Sequence, residues 1–344
     1  MKNRLAAFLL LALPVLAQDD RVFLNNGTVL DKIKVTSFDI RELKYTQGGT
    51  SKSVSTDQVG KVDLAAFNDT FRLGLKDPGL MVTKANEVLA DKEALLGQLA
   101  LVAASAMFFD NGQAQEAVSA LDDLQKSVPN AGVLPEVYRQ KFEYYMGQTG
   151  HAADAGKVAK KYLAEAQGSA WPQGLITEAE FFVAMADRGA GGNAKDFQGA
   201  LRGIIARAGD NQLIANRASV QLANSLRETK DVEGAKKLYQ SLVDKDGVDS
   251  SSRAGAYLGL GQIVMEAAGN DADANRRAML LFLRVYLETK DAWPSLQAEA
   301  LYNATQAAGR WKGADWQYIQ ARCRGALKAD FPKSDWTQLA LSGK

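Results

Sequence analysis

The feature that most constrains this chain is a spacing. From residue 94 onward apolar residues recur at intervals of three and four, and turn signals interrupt them near Gly112, Gly150, Gly192, Lys230, Gly269 and Arg310. The successive gaps are 38, 42, 38, 39 and 41 residues. A second marker keeps the same period. Pro135, Pro172 and Pro294 fall where the first helix of a pair should begin, a position that suits proline because its missing N–H would have no helical partner there. A two-helix unit of about 40 residues cannot bury its apolar stripe alone and buries it against the next unit. The spacing therefore predicts six helical hairpins over residues 94–332, stacked as an alpha-alpha solenoid. A shorter, irregular pair is expected over 66–92, where Leu73, Leu75 and Leu80 flank Pro78.

The stripes can be read residue by residue. Ala117, Leu121, Leu124 and Val128 share one helical face, with Asp122, Asp123 and Gln125 outside it. Ala235, Leu238, Tyr239 and Leu242 repeat the pattern, as do Ala278, Phe282 and Val285. Gly255, Gly259 and Gly261 fall inside one first helix, around Tyr257, Leu258 and Leu260. Each helical glycine costs up to about 1 kcal/mol against alanine. Either neighbouring helices approach closely there, or the helix is weak or bent. Asp231 and Ser250 to Ser252 are candidate N-caps.

Certain strings carry a resemblance. Asn111-Gly112-Gln113-Ala114-Gln115-Glu116-Ala117, followed by Leu121, Leu124 and Pro129, resembles the second helix of a tetratricopeptide (TPR) repeat. Lys230-Asp231-Val232-Glu233-Gly234-Ala235-Lys236-Lys237-Leu238-Tyr239 resembles another. Ala326-Leu327-Lys328-Ala329-Asp330-Phe331-Pro332-Lys333-Ser334 is similar to the repeat ending common in exported bacterial members. The period is nearer 40 than the family's roughly 34 residues, and the first-helix Trp and Tyr signature is irregular. The resemblance implies stacked helix pairs acting as a scaffold or adaptor for protein segments. A non-repetitive helical bundle is the alternative.

Residues 21–64 follow another rule. Val22 and Leu24, Ile33 and Val35, Phe38 and Ile40, and Leu43 and Tyr45 are pairs at period two, with Val29, Val54, Val59, Val62 and Leu64 completing the pattern. Asn26-Gly27 and Gly48-Gly49 supply turns. Four or five short strands predict a small curved sheet or barrel that leans on the following helices or on a partner chain. Arg21-Val22-Phe23-Leu24-Asn25-Asn26-Gly27-Thr28-Val29, with the Val59–Leu64 strand, resembles the SH3-like or LSm-like small barrels. That likeness implies an adaptor or assembly module.

Lys2 and Arg4, the apolar run Leu5 to Ala17, and small residues before Gln18 form the three parts of a secretory signal peptide. Its removal tips the balance of 41 basic and 40 acidic residues to one net negative charge. Lys and Arg are interspersed with Asp and Glu, which excludes the clustered basic face of a nucleic-acid binder. No later segment is long and apolar enough to span a membrane. The mature chain is expected to be exported, to the periplasm or to the exterior.

Chemistry is sparse. With one His and one Cys, a zinc site of several such ligands and an internal disulfide are excluded. Arg139, Lys141, Glu143 and His151 are the nearest approach to a polar cluster, and His151 reads as a surface turn residue. Glu178 and Glu180 sit two apart and point to different sides of a helix. Asp271 and Asp273 lack the glycine and terminal glutamate of a calcium loop, and Gly189, Gly191 and Gly192 have no strand before them. Cys323 is either a buried thiol or an exposed link between chains. All five Trp lie from residue 171 onward: Trp171, Trp293, Trp311, Trp316 and Trp336. They pack repeat on repeat or anchor a ligand.

The expected organisation is thus mainly α: signal peptide 1–17, a small SH3-like or LSm-like β-barrel-like domain 18–64, a connecting helical segment 65–93 and a TPR-like alpha-alpha solenoid 94–344. The expected function is a non-enzymatic exported scaffold that binds a protein or peptide partner, with no catalytic, cofactor or metal residues. Asn216, Gln221, Asn224, Trp311 and Trp316 are the candidate partner-binding residues. An envelope-polysaccharide enzyme on a helical scaffold and a self-assembling envelope component are the alternatives.

Overall fold

A computed structural model describes residues 19–147, 150–209 and 211–342. The expected signal peptide lies outside the described residues. Chain contacts define two compact units, one built from residues 19–24 and 28–134 and the other from residues 25–27 and from residue 135 onward.

The first unit opens with five antiparallel strands: β1 Asp20–Leu24, β2 Val29–Phe38, β3 Glu42–Gln47, β4 Thr50–Ser55 and β5 Val59–Asp63. Their order is β4-β3-β2-β1-β5. The long β2 serves two neighbours. Its first half pairs with β1 (Val22 opposite Leu30) and its second half with β3 (Val35 opposite Tyr45). A register shift between Val35 and Ser37 bends it. Val22, Ile33, Val35, Phe38, Leu43, Tyr45 and Val59 make the core, whereas Val29 is exposed. Gly27 and Gly48-Gly49 take the positive φ that the two hairpin turns require.

Helices of the same unit complete this small core. They are α1 Ala65–Thr70, α2 Pro78–Ala90, α3 Ala94–Asp110 and α4 Ala114–Ser127. Gln98 of α3 is the tie. Its buried amide donates to the Phe38 carbonyl at 3.0 Å and accepts from Val133 N at 3.3 Å. Ile40 N donates to Asn130 O at 3.0 Å alongside. The Asp20 carboxylate accepts from Val35 N and Ala65 N, each at 2.8 Å, and so joins strand to helix. The shorter, irregular helical pair expected over 66–92 is present as two unequal helices. A short α1, a single 3-10 turn at Gly74–Lys76 and a full α2 occupy it, and α2 packs on α3. Leu73, Leu75 and Leu80 stay exposed.

The second unit is an array of hairpins. The pairs are α5 Leu134–Gly147 with α6 Ala152–Gly168, α7 Gln173–Gly189 with α8 Ala194–Arg207, α9 Gln212–Glu228 with α10 Val232–Asp244, α11 Ser250–Ala268 with α12 Ala272–Glu288, and α13 Pro294–Trp311 with α14 Trp316–Asp330. From α6 to α14 each helix packs on the next. The short α15 Asp335–Ser342 packs on α13 and α14, with Trp336 5.2 Å from the Tyr302 ring. This is the stacking the spacing predicts: an alpha-alpha solenoid of helical hairpins, preceded in the chain by a small antiparallel sheet. Four of the five expected turns in this unit fall on their markers; the last sits at Lys312 to Asp315, beyond Arg310, which still belongs to α13. Asp231 caps α10 as expected, while α11 is capped by Asp249 rather than by the serines after it.

The three glycines of α11 mark close approach. A Cβ on Gly255 would lie 2.9 Å from Val220 of α9, on Gly259 2.2 Å from the Tyr239 ring of α10, and on Gly261 2.5 Å from the Phe282 ring of α12. Neighbours on three sides fill the space a side chain would take, and the packing offsets the helix-propensity loss.

Candidate functional site

Within the second unit the odd-numbered helices make a layer of their own. α7, α9, α11 and α13 each pack on the next-but-one helix as well as on their hairpin partners. No comparable packing joins α8, α10, α12 and α14 among the described residues. Layers that approach more closely lie on the inner side of a curved stack. On that side a groove of about 230 Å³ runs across α9, α11 and α13 and reaches Phe181 of α7. Gly255 and Gly259 line it, because residues without a side chain lower the surface between α9 and α13.

The α9 wall is a helical stripe. Arg217, Gln221, Asn224 and Glu228 recur at four, three and four, which places them on one face. Asn224 is held in place: its Oδ1 accepts from Tyr239 OH at 2.5 Å and its Nδ2 donates to Gln221 Oε1 at 3.4 Å. Burial pushes the Tyr239 hydroxyl up to about 12, so it stays a donor to Asn224. Opposite, α13 offers Trp293, Leu296 and Glu299. Burial pushes the Glu299 carboxyl up, and Gln262 donates to it at 2.9 Å. Glu228 pairs with Arg188 at 2.9 Å and Arg227 with Glu266 at 2.6 Å. The Arg217 guanidinium lies over the Trp293 ring, 5.1 Å from its centre, and Trp293 is 39% exposed. Among the described residues three buried polar atoms here have no hydrogen-bond partner: Arg217 Nε, Arg227 Nε and Ser252 Oγ.

The candidate residues from the sequence divide. Gln221 and Asn224 line the groove. Asn216 is on the same helix but 3% exposed, and it does not line the groove. Trp311 and Trp316 lie half-buried at the last turn, where Arg276 covers the Trp311 ring at 5.8 Å, and neither reaches the groove. Sequence reasoning missed Arg217 and Arg227, read Ser252 only as a candidate cap, and named Trp293 without separating packing from ligand anchoring. The four-three-four spacing from Gln221 and Asn224 back to Arg217 was the available signal.

The other polar residues singled out in the sequence lie outside this groove. Arg139 and Glu178 form a two-pronged pair, Nε to Oε1 at 2.6 Å and Nη2 to Oε2 at 2.9 Å, and Tyr162 OH donates to the same carboxylate at 2.9 Å. Glu178 is 2% exposed. Burial works against the Arg139 charge, and the Glu178 carboxylate more than offsets it, holding the guanidinium well above its ordinary value. Tyr138 and Tyr162 stack 4.7 Å apart beside the buried Trp171. Glu180 turns away to Arg207 at 2.7 Å, and His151 is exposed against Asp154 at 3.0 Å. Asp271 caps α12 through Ala274 N. Cys323 is buried. Among the described residues no three His, Cys, Asp or Glu side chains gather as metal ligands, and no helix is long and apolar enough to cross a membrane.

No family model and no curated protein matches the chain. Solved structures with similar backbones exist. One is a Podosopora anserina chain of kinesin light chain type with nearly identical TPR-like repeats: 15% identity, TM-score 0.38, covering 58% of this chain and 99% of that one. A variant of it gives 0.39 at 15% identity, over 58% and 98%. BtubC (BKLC) from P. vanneervenii gives 0.39 at 16% identity, over 75% and 95%.

Proposed function

We propose that this chain is a non-catalytic scaffold, exported to the periplasm or beyond, whose helical array seats a segment of a protein partner in the groove across α9, α11 and α13. The observation that carries this reading is the groove's inventory: an exposed tryptophan, a stripe of polar side chains on α9, and three polar atoms with no hydrogen-bond partner among the described residues. Exposed aromatics with arginine are the residues that dominate protein docking sites. The carboxylates there are engaged, Glu228 by Arg188 and Glu299 by Gln262, which supports binding over catalysis. Export rests on the residues 1–17 pattern alone. The sheet unit, with its SH3-like or LSm-like sequence likeness, supplies a second contact or an assembly surface.

A photo-reactive amino acid at Gln221 tests the docking role in cells, with Lys236 on the exposed side of α10 as the comparison. A discrete adduct from position 221 and none from 236 is expected. No adduct from 221, or the same adduct from both, overturns the reading. Amino-terminal sequencing of the mature protein tests export: the chain should begin at Gln18.

A further inference from the structure

The groove leaves one cation unanswered. Arg188 and Arg227 each have an acidic partner, but Arg217 makes no ion pair among the described residues. Its Nε is buried without a hydrogen-bond partner and its guanidinium is stacked on Trp293. The Glu143 carboxylate of α5 acts on it electrostatically without pairing. A partly desolvated guanidinium whose nearest carboxylate acts only at a distance keeps unfilled donor capacity, and stacking on indole answers only part of that loss.

Ser252 lines the same groove. It is 2% exposed, and its Oγ also has no hydrogen-bond partner. It sits in the first turn of α11, where the helix dipole favours negative charge. Asp249 caps that turn by accepting from Ser252 N and does not itself line the groove; its Oδ2 is without a hydrogen-bond partner. Of the carboxyl groups that line the groove, Glu228 is paired with Arg188 and Glu299 accepts from Gln262, so the charge there without an ion pair among the described residues is Arg217. The apolar neighbours are Trp293, Leu258 and Leu296.

We propose that Arg217, Ser252 and Trp293 form an anchor for an acidic side chain on an extended segment of the partner. The guanidinium and the serine hydroxyl donate to the carboxylate, and the Trp293 and leucine surface takes the apolar residue beside it. This rests on the docking function proposed above and names the chemistry of its ligand.

The test uses a fluorescent peptide of Glu-Ser-Leu repeats and its Gln-Ser-Leu counterpart, titrated with the mature full chain. The Glu peptide should bind at least about tenfold tighter than the Gln peptide. Arg217→Gln should remove that preference, and Arg217→Lys should keep part of it because the charge stays but the planar fork is lost. Ser252→Ala should weaken the Glu peptide alone. Lys236→Gln, with the same change in charge, should bind as the wild type does. Thermal melts of each variant establish that it is folded. Equal binding of the two peptides, no binding of either, or undiminished preference in Arg217→Gln overturns the anchor. So does tighter binding of a phosphoserine peptide than of the Glu peptide. If the anchor fails while position 221 still yields its cross-linked adduct, the docking reading stands and only the acidic ligand falls.

Discussion

Gly259→Ala should destabilise the protein although it replaces a poor helix former with the best. The new Cβ would lie 2.2 Å from Tyr239 Cζ and 2.6 Å from both ring Cε atoms, where ordinary contact begins at 3.4 Å. The ring or the helix must therefore move by about 1.2 Å. Neither is free to do so. Tyr239 is 0% exposed, and its hydroxyl is fixed on Asn224 at 2.5 Å. Alanine contributes up to about 1 kcal/mol of helix propensity. Overpacking opposes it by about 1–3 kcal/mol, and displacing the tyrosine hydrogen bond adds about 0.5–1.5 kcal/mol. The net expectation is a loss of about 1–3 kcal/mol. Gly199 provides the matched contrast, because it is exposed in α8 and its Cβ would meet nothing within 4 Å. Gly199→Ala should stabilise by about 0.5–1 kcal/mol. Urea unfolding followed by far-ultraviolet circular dichroism reads both. Adding Tyr239→Leu to Gly259→Ala should recover part of the loss, since the ring that clashes is gone. If the two alanine variants shift stability in the same direction, the close-approach argument is wrong.

Other outcomes can be checked with similar means. Glu178→Ala should cost about 1–3 kcal/mol in urea unfolding, because it removes both prongs of the Arg139 pair and the acceptor of the Tyr162 hydroxyl, while Glu136 at 3.1 Å still faces the part-exposed guanidinium; an unchanged midpoint would mean the pair contributes nothing to the fold. The Cys323 thiol, pushed up to about 11 by burial, should ignore a thiol-reactive dye in the folded protein near neutral pH and react on unfolding. A dimer that appears only on non-reducing gels would contradict that burial. Burial raises the Glu299 carboxyl above its ordinary 4.5, so the folded state favours the neutral acid. Its contribution is present below the unfolded pKa and is lost as pH rises through the folded one. Glu299→Gln should therefore gain melting temperature relative to the wild type as pH goes from about 4 to about 7, and a difference that does not change with pH refutes the sign.

The hairpin array was legible because each turn leaves a local mark. Gly112, Gly150, Gly191, Lys230 and Gly269 all sit at positive φ between paired helices. The last turn drifted because Arg310 still has room to continue α13, and Lys312 takes the left-handed position without a glycine. The stretch before α3 showed its two helices but not their packing, because α2 finds its partner after the turn, in α3, and no spacing within 66–92 carries that information. Gln98 was invisible for a related reason. One buried amide joins Phe38 to Val133 across the fold, and a single polar residue in an apolar helix has no periodicity to betray it. At the groove, the polar stripe of α9 could be read from Gln221 and Asn224. Trp293 could not be told from Trp171, since both precede a proline at a helix start. Trp171 is buried beside Tyr138 and Tyr162, whereas Trp293 meets Arg217 and stays open.

Packing and groove have one origin in α11. A helix carrying ordinary side chains at 255 and 259 would stand farther from α9 and α10, and the groove wall that carries Arg217 and Asn224 would shift with that spacing. Tyr239 reaches under α11 because Gly259 lets it, and from there its hydroxyl fixes Asn224 at the groove wall. The same residues that make the stack tight therefore also set the groove's depth and orient one of its polar groups. It follows that the Gly259→Ala variant should lose affinity for any groove ligand along with stability, whereas Gly261→Ala should lose stability alone: its Cβ would be directed at Phe282 of α12, and Gly261 does not line the groove.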